Sequence, residues 1–121
     1  MASDPKVLLV EDDASMQAVL RTLLELEGFQ VIQAPDMRTA EDLLSSIRAE
    51  LPDTILLDVH LKNNVSGVDL LREMRLDPTM AKTRVVMTSG MAMKQECIDA
   101  GADDFLLKPF MPDELIKKLR G

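Results

Sequence analysis

Five short apolar runs, each broken off by polar or charged residues, alternate along this chain with stretches whose apolar residues fall at helical spacing. The runs are Lys6–Val10, Phe29–Gln33, Thr54–Leu57, Arg84–Thr88 and Asp104–Leu107. Apolar runs of this length without polar alternation suit strands buried on both faces. Between them, Ala14–Glu27 reads as a helix closed by Gly28, and a second helix runs from an N-cap at Asp36 to about Ala49. Val68, Leu70, Leu71 and Met74 mark a third helix that Pro78 ends, Met93–Ala100 a short fourth, and Pro112–Leu119 a fifth. Strict strand–helix alternation predicts the α/β class, with five parallel strands covered by five helices. Right-handed crossovers then favour a doubly wound, flavodoxin-like sheet in the order 2-1-3-4-5.

The 121 residues suffice for one core, so 1–121 is expected to be a single domain, with 1–5 as a flexible leader. No apolar run is long enough to span a bilayer, and the polar start does not resemble a signal peptide. A net charge of −7 opposes binding to nucleic acid or an anionic membrane and suits carboxylates gathered around a cation. The lone Cys97 fits a reducing cytoplasm and reads as a small buried hydrophobe.

In an open parallel sheet the ligand site lies beyond the carboxyl ends of the strands. Here those ends carry Glu11-Asp12-Asp13, Asp58, Thr88-Ser89-Gly90 and Lys108-Pro109. Glu11, Asp12 and Asp58 crowded together would repel each other, and a hard divalent cation is the natural compensation. That points to Mg²⁺, with Mn²⁺ as a substitute. A carboxylate in such a site can attack phosphorus and become an aspartyl phosphate. Lys108 and a hydroxyl of the fourth strand would hold charge on the transferring group. A period-two strand sends Thr88 and Ser89 to opposite faces, so only one of them can serve.

The runs Val7-Leu-Leu-Val-Glu-Asp-Asp13, Ile55-Leu-Leu-Asp58, Val85-Val-Met-Thr-Ser-Gly90 and Gly101-Ala-Asp-Asp-Phe-Leu-Leu-Lys-Pro-Phe110 together resemble the receiver domains of two-component response regulators. The likeness covers nearly the whole chain in the right order. It implies that Asp58 is the phosphoacceptor, with Asp12 a direct metal ligand and Glu11 acting through water. His60 would supply a backbone carbonyl to the metal, and Asp13 matches a more variable position. Lys108 matches the lysine that pairs with the phosphoryl group, and Lys108-Pro109 the family's cis peptide. Counting through Leu70-Leu71 matches Ser89 to the switch hydroxyl, and Phe105, three residues before Lys108, matches the switch aromatic, whose ring turns inward on activation. The implied donor is a sensor histidine kinase or a phosphotransfer protein. No output partner or output domain is legible in the sequence.

The chain departs from the family pattern in three places. Lys62 replaces a usual proline, the loop ending Asn63-Asn-Val-Ser-Gly67 is about one residue longer than the pattern, and Ser89–Lys108 is about three residues shorter. A haloacid-dehalogenase-type phosphatase would also use an aspartate nucleophile and Mg²⁺. It would place a second aspartate where this chain has His60, and it needs room for a cap domain. A flavodoxin-like flavin carrier is opposed by the acids of the first loop and by the absence of tyrosine and tryptophan.

Overall fold

A computed structural model describes residues 5–11, 13–33, 39–61 and 64–121. The elements run β1 (Lys6–Val10), α1 (Ala14–Leu26), β2 (Gln30–Gln33), α2 (Ala40–Glu50), β3 (Thr54–Asp58), α3 (Gly67–Leu76), β4 (Arg84–Ser89), α4 (Lys94–Asp99), β5 (Asp104–Leu107) and α5 (Pro112–Arg120). The strands form one parallel sheet in the order β2-β1-β3-β4-β5, as the alternation predicts.

Strand alternation splits the core into two layers. Val7, Leu9, Leu56, Val86 and Leu106 face α1 and α5, where Leu20, Leu24, Leu115 and Leu119 cover them. Leu8, Val10, Ile55, Leu57, Val85, Met87 and Phe105 face α2, α3 and α4, meeting Leu43, Ile47, Leu71, Met74 and Cys97. β3 is buried along its whole length, which is why its sequence shows no polar alternation before Asp58.

The α2 start differs from expectation. Asp36 lies outside the described residues, and the described helix is capped by Thr39. That residue is extended, and its hydroxyl accepts a hydrogen bond from the Asp42 amide at 3.1 Å. Threonine satisfies an orphan amide as an aspartate would, and Glu41 and Asp42 then lie in the first turn, where the helix dipole favours acids. The fourth helix is short, as the missing residues imply: six residues, with no side-chain cap from Met93. Among the described residues no helix is long and apolar enough to cross a membrane. Cys97 is buried and free, and burial, then Glu96, raises its thiol pKa.

The end of the sheet away from the catalytic-type residues is fastened by Arg75. Its guanidinium donates to the carbonyls of Gly101 (2.9 Å) and Thr83 (2.7 Å) and to Asp103 Oδ2 (3.1 Å). One α3 side chain therefore fixes the entries to β4 and β5, and with them the height at which Ser89 and Lys108 emerge.

Candidate functional site

Residues at or just beyond the carboxyl ends of β1, β3 and β5 bring Glu11, Asp58 and Lys108 to one edge of the sheet. Lys108 Nζ donates to Asp58 Oδ2 at 2.8 Å and to Glu11 Oε2 at 2.9 Å. The carboxylates are nearly closed off from solvent, with 9% of the Asp58 and 7% of the Glu11 side chain exposed. Each has a further donor: the His60 amide to Asp58 Oδ1 at 3.1 Å, and the Asp13 amide to Glu11 Oε1 at 3.3 Å. Burial acts against the charged form of Lys108, but the hydrogen bonds and charges of Asp58 and Glu11 outweigh it and raise the lysine pKa.

The local sequence explains these positions. β1 and β3 are adjacent and parallel with Val10 beside Leu57, so Glu11 and Asp58 leave the sheet at the same level. The Gln17 side-chain amide reaches back from α1 to the Glu11 carbonyl. Asp13 turns away from the site: its Oδ1 accepts from the Ser15 and Met16 amides as the N-cap of α1. The Lys108-Pro109 peptide is cis.

In register, Thr88 is paired with Asp58 and shares its side of the sheet, while Ser89 falls on the side of Met87 and Phe105. Ser89 is nonetheless joined to the lysine through the main chain, since the Lys108 amide donates to the Ser89 carbonyl at 2.8 Å. The Ser89 hydroxyl accepts from the Met91 amide at 3.0 Å and donates to Met93 Sδ at 3.9 Å. Phe105 is 7% exposed and belongs to the core layer under α2 to α4. His60 is exposed and bridges to Ser66. Asp12, which the sequence nominates as a direct metal ligand, lies outside the described residues, as does Lys62.

Among the described residues, two nearly buried carboxylates share one ammonium. That donor set suits a small divalent cation sharing its shell with phosphate oxygens and water. Among the described residues no three acidic, His or Cys side chains form a metal cage.

One feature of the site went unread in the sequence. Gly67 brings α3 against β3 so closely that a Cβ there would lie 2.2 Å from the Asp58 carbonyl oxygen. Its position, ending a polar loop and opening a helix, was the available signal. Nothing in the sequence paired Met93 with Ser89.

Residues 7–120 match the response regulator receiver domain, and the chain belongs to that family. It is 37% identical over 118 residues to the transcriptional regulatory protein CpxR of Escherichia coli K12, covering 95% of this chain and 47% of that protein. The chain thus spans about half the length of the curated relatives it matches. Its fold is similar to the chemotaxis response regulator CheY4 of Vibrio cholerae, with a TM-score of 0.84, 28% identity and 97% of both chains covered. It is also similar to the receiver domain of a sensor histidine kinase from Pseudomonas aeruginosa PAO1, at a TM-score of 0.82 and 26% identity, over 97% of this chain and 95% of that one. That structure has a magnesium ion coordinated in its active-site cleft. Nothing in these likenesses supports a haloacid-dehalogenase-type phosphatase.

Proposed function

We propose that Asp58 is the phosphoacceptor of this receiver domain and that phosphorylation switches a partner-binding surface. The observation that carries the reading is the Lys108 ammonium held between Asp58 and Glu11 at 2.8 and 2.9 Å. A lysine so placed can turn one of its protons to an incoming phosphoryl oxygen while still pairing with Asp58.

Asp58 attacks phosphorus through a carboxylate oxygen. An O–P bond forms as the donor's P–N bond breaks, for a phosphohistidine, or its P–O bond, for acetyl phosphate. The donor in signalling is a sensor histidine kinase or a phosphotransfer protein. Asp12, Glu11, Asp58 and the His60 carbonyl would hold Mg²⁺, or Mn²⁺ in its place. The ion, when bound, neutralises charge on the carboxylates and the phosphoryl oxygens. Ser89 donates its hydroxyl proton to the phosphoryl group once the group is on Asp58, and Phe105 backs that movement from the core. The chain acts on its own carboxylate as a switch.

Acetyl phosphate with Mg²⁺ should raise the intact mass by one phosphate, and Asp58→Asn should abolish the gain. Equal labelling of the variant would move the acceptor elsewhere.

A further inference from the structure

We infer that Met93 is a positioning residue for the switch hydroxyl: its thioether holds the Ser89 proton in the resting arrangement and so sets how readily the site accepts a phosphoryl group. The inference rests on the reading of Asp58 as acceptor and of Ser89 as the hydroxyl that follows it.

Ser89 is 1% exposed, so its hydroxyl is largely withdrawn from bulk water. A hydroxyl has one proton to donate, and among the described residues that proton goes to Met93 Sδ at 3.9 Å. The oxygen is meanwhile tied to the β4–α4 segment by the Met91 amide, which donates to it at 3.0 Å. Met93 can keep the sulfur there because it is partly buried against the core layer containing Met87, Cys97 and Phe105. A thioether is a weak acceptor: enough to satisfy a buried proton, yet easily outbid by a phosphoryl oxygen, whose hydrogen bond is charge-assisted. A stronger acceptor at this position would hold the hydroxyl back. With no acceptor, the buried proton would lack a partner until the phosphoryl group arrives.

Met93→Leu keeps the side-chain bulk and removes the acceptor, whereas Met93→Gln keeps the length and offers a carbonyl. Calorimetric titration with beryllofluoride and Mg²⁺ reads the affinity of the site without a signalling partner. Met93→Leu should bind about threefold more tightly and Met93→Gln more weakly by a similar factor, the scale of one modest net hydrogen bond. In a Ser89→Ala background both differences should vanish. A packing effect would move the two variants without regard to Ser89, so gains that persist in that background overturn the inference. Affinities equal to wild type in both variants overturn it as well. A wild type that binds no beryllofluoride, or binds it equally after Asp58→Asn, overturns the phosphoacceptor reading and this inference together. Wild-type binding that depends on Asp58 but is indifferent to Met93 overturns this inference alone.

Discussion

The first helical residue of α3, Gly67, lies directly against the main chain of Asp58: a Cβ on Gly67 would sit 2.2 Å from the Asp58 carbonyl oxygen and 3.1 Å from its carbon. The Gly67 amide is tied in as well, donating to the Val59 carbonyl at 2.7 Å. The obstacle is backbone, which cannot swing aside as a side chain can. Glycine is therefore required by the space and not by an unusual φ. Gly67→Ala should cost about 1–3 kcal/mol of stability by overpacking. It should also weaken phosphorylation, because the strain falls on Asp58 itself. Urea unfolding together with acetyl phosphate labelling checks both, and a variant as stable and as readily labelled as wild type would refute the close packing.

Lys108 is expected to matter for stability as well as for chemistry. Lys108→Met keeps the stem but leaves two largely buried carboxylates side by side, at a cost on the order of 2 kcal/mol near neutral pH. Because the folded pKa of Lys108 is raised, its stabilising contribution is fully present below the ordinary lysine value, about 10.4. It is lost as pH rises through the folded value. The stability gap between wild type and Lys108→Met should accordingly hold from neutral pH to about 10.4 and narrow above it. Denaturant titrations across that range measure the gap, and a gap independent of alkaline pH would show that packing alone sustains it.

Neighbouring acids at the end of β1 should separate cleanly. Asp13 caps α1 through its Oδ1, so Asp13→Ala should cost about 1 kcal/mol of stability while Mg²⁺ affinity is kept. Asp12→Ala should do the reverse, losing Mg²⁺ binding with stability maintained or raised by relief of like-charge repulsion. Calorimetric Mg²⁺ titrations and thermal unfolding of both variants test the pair. Equal losses of Mg²⁺ affinity would remove the distinction.

Burial on both faces makes the strands legible as unbroken apolar runs. β1 and β5 have the bounds that their apolar runs predict, and β3 and β4 each extend one residue further, to Asp58 and Ser89. Those added residues are polar yet buried, so hydropathy ends the strand before hydrogen bonding does. At the start of α2, Asp36 and Thr39 are both good caps by residue type, and the extended backbone at Thr39 marks it as the cap of the described helix. Glu11, Asp58 and Lys108 could be grouped from sequence because parallel topology sends all strand ends one way. The Ser89–Met93 contact could not, since a flexible thioether in an irregular segment carries no periodic signal. Phe105 illustrates a different limit: the resemblance suggests a ring that turns inward, and the structure already holds it in the core.

That burial shapes what transmission of the signal should look like. Phosphorylation can shift the domain only as far as the phosphoryl group binds one arrangement better than another. Phe105 is 7% exposed and Cys97 fully buried, so the core beneath α4 has little room to rearrange. Above it, Gly90 and Met91 are exposed, and α4 is six residues long without a side-chain cap. Such a segment opens locally at low cost. On the proposed role of Ser89, turning to the phosphoryl group would cost it its bonds with Met91 and Met93 and release the start of α4. Beryllofluoride with Mg²⁺ should therefore change amide exchange several-fold from Gly90 through Gln95, while the amides of β5 around Phe105 keep their protection. Amide exchange followed by mass spectrometry or NMR resolves the two regions. Changes restricted to the loops bearing Glu11 and Asp58, with Gly90–Gln95 unaffected, would mean that the site binds its ligand without passing the signal to α4.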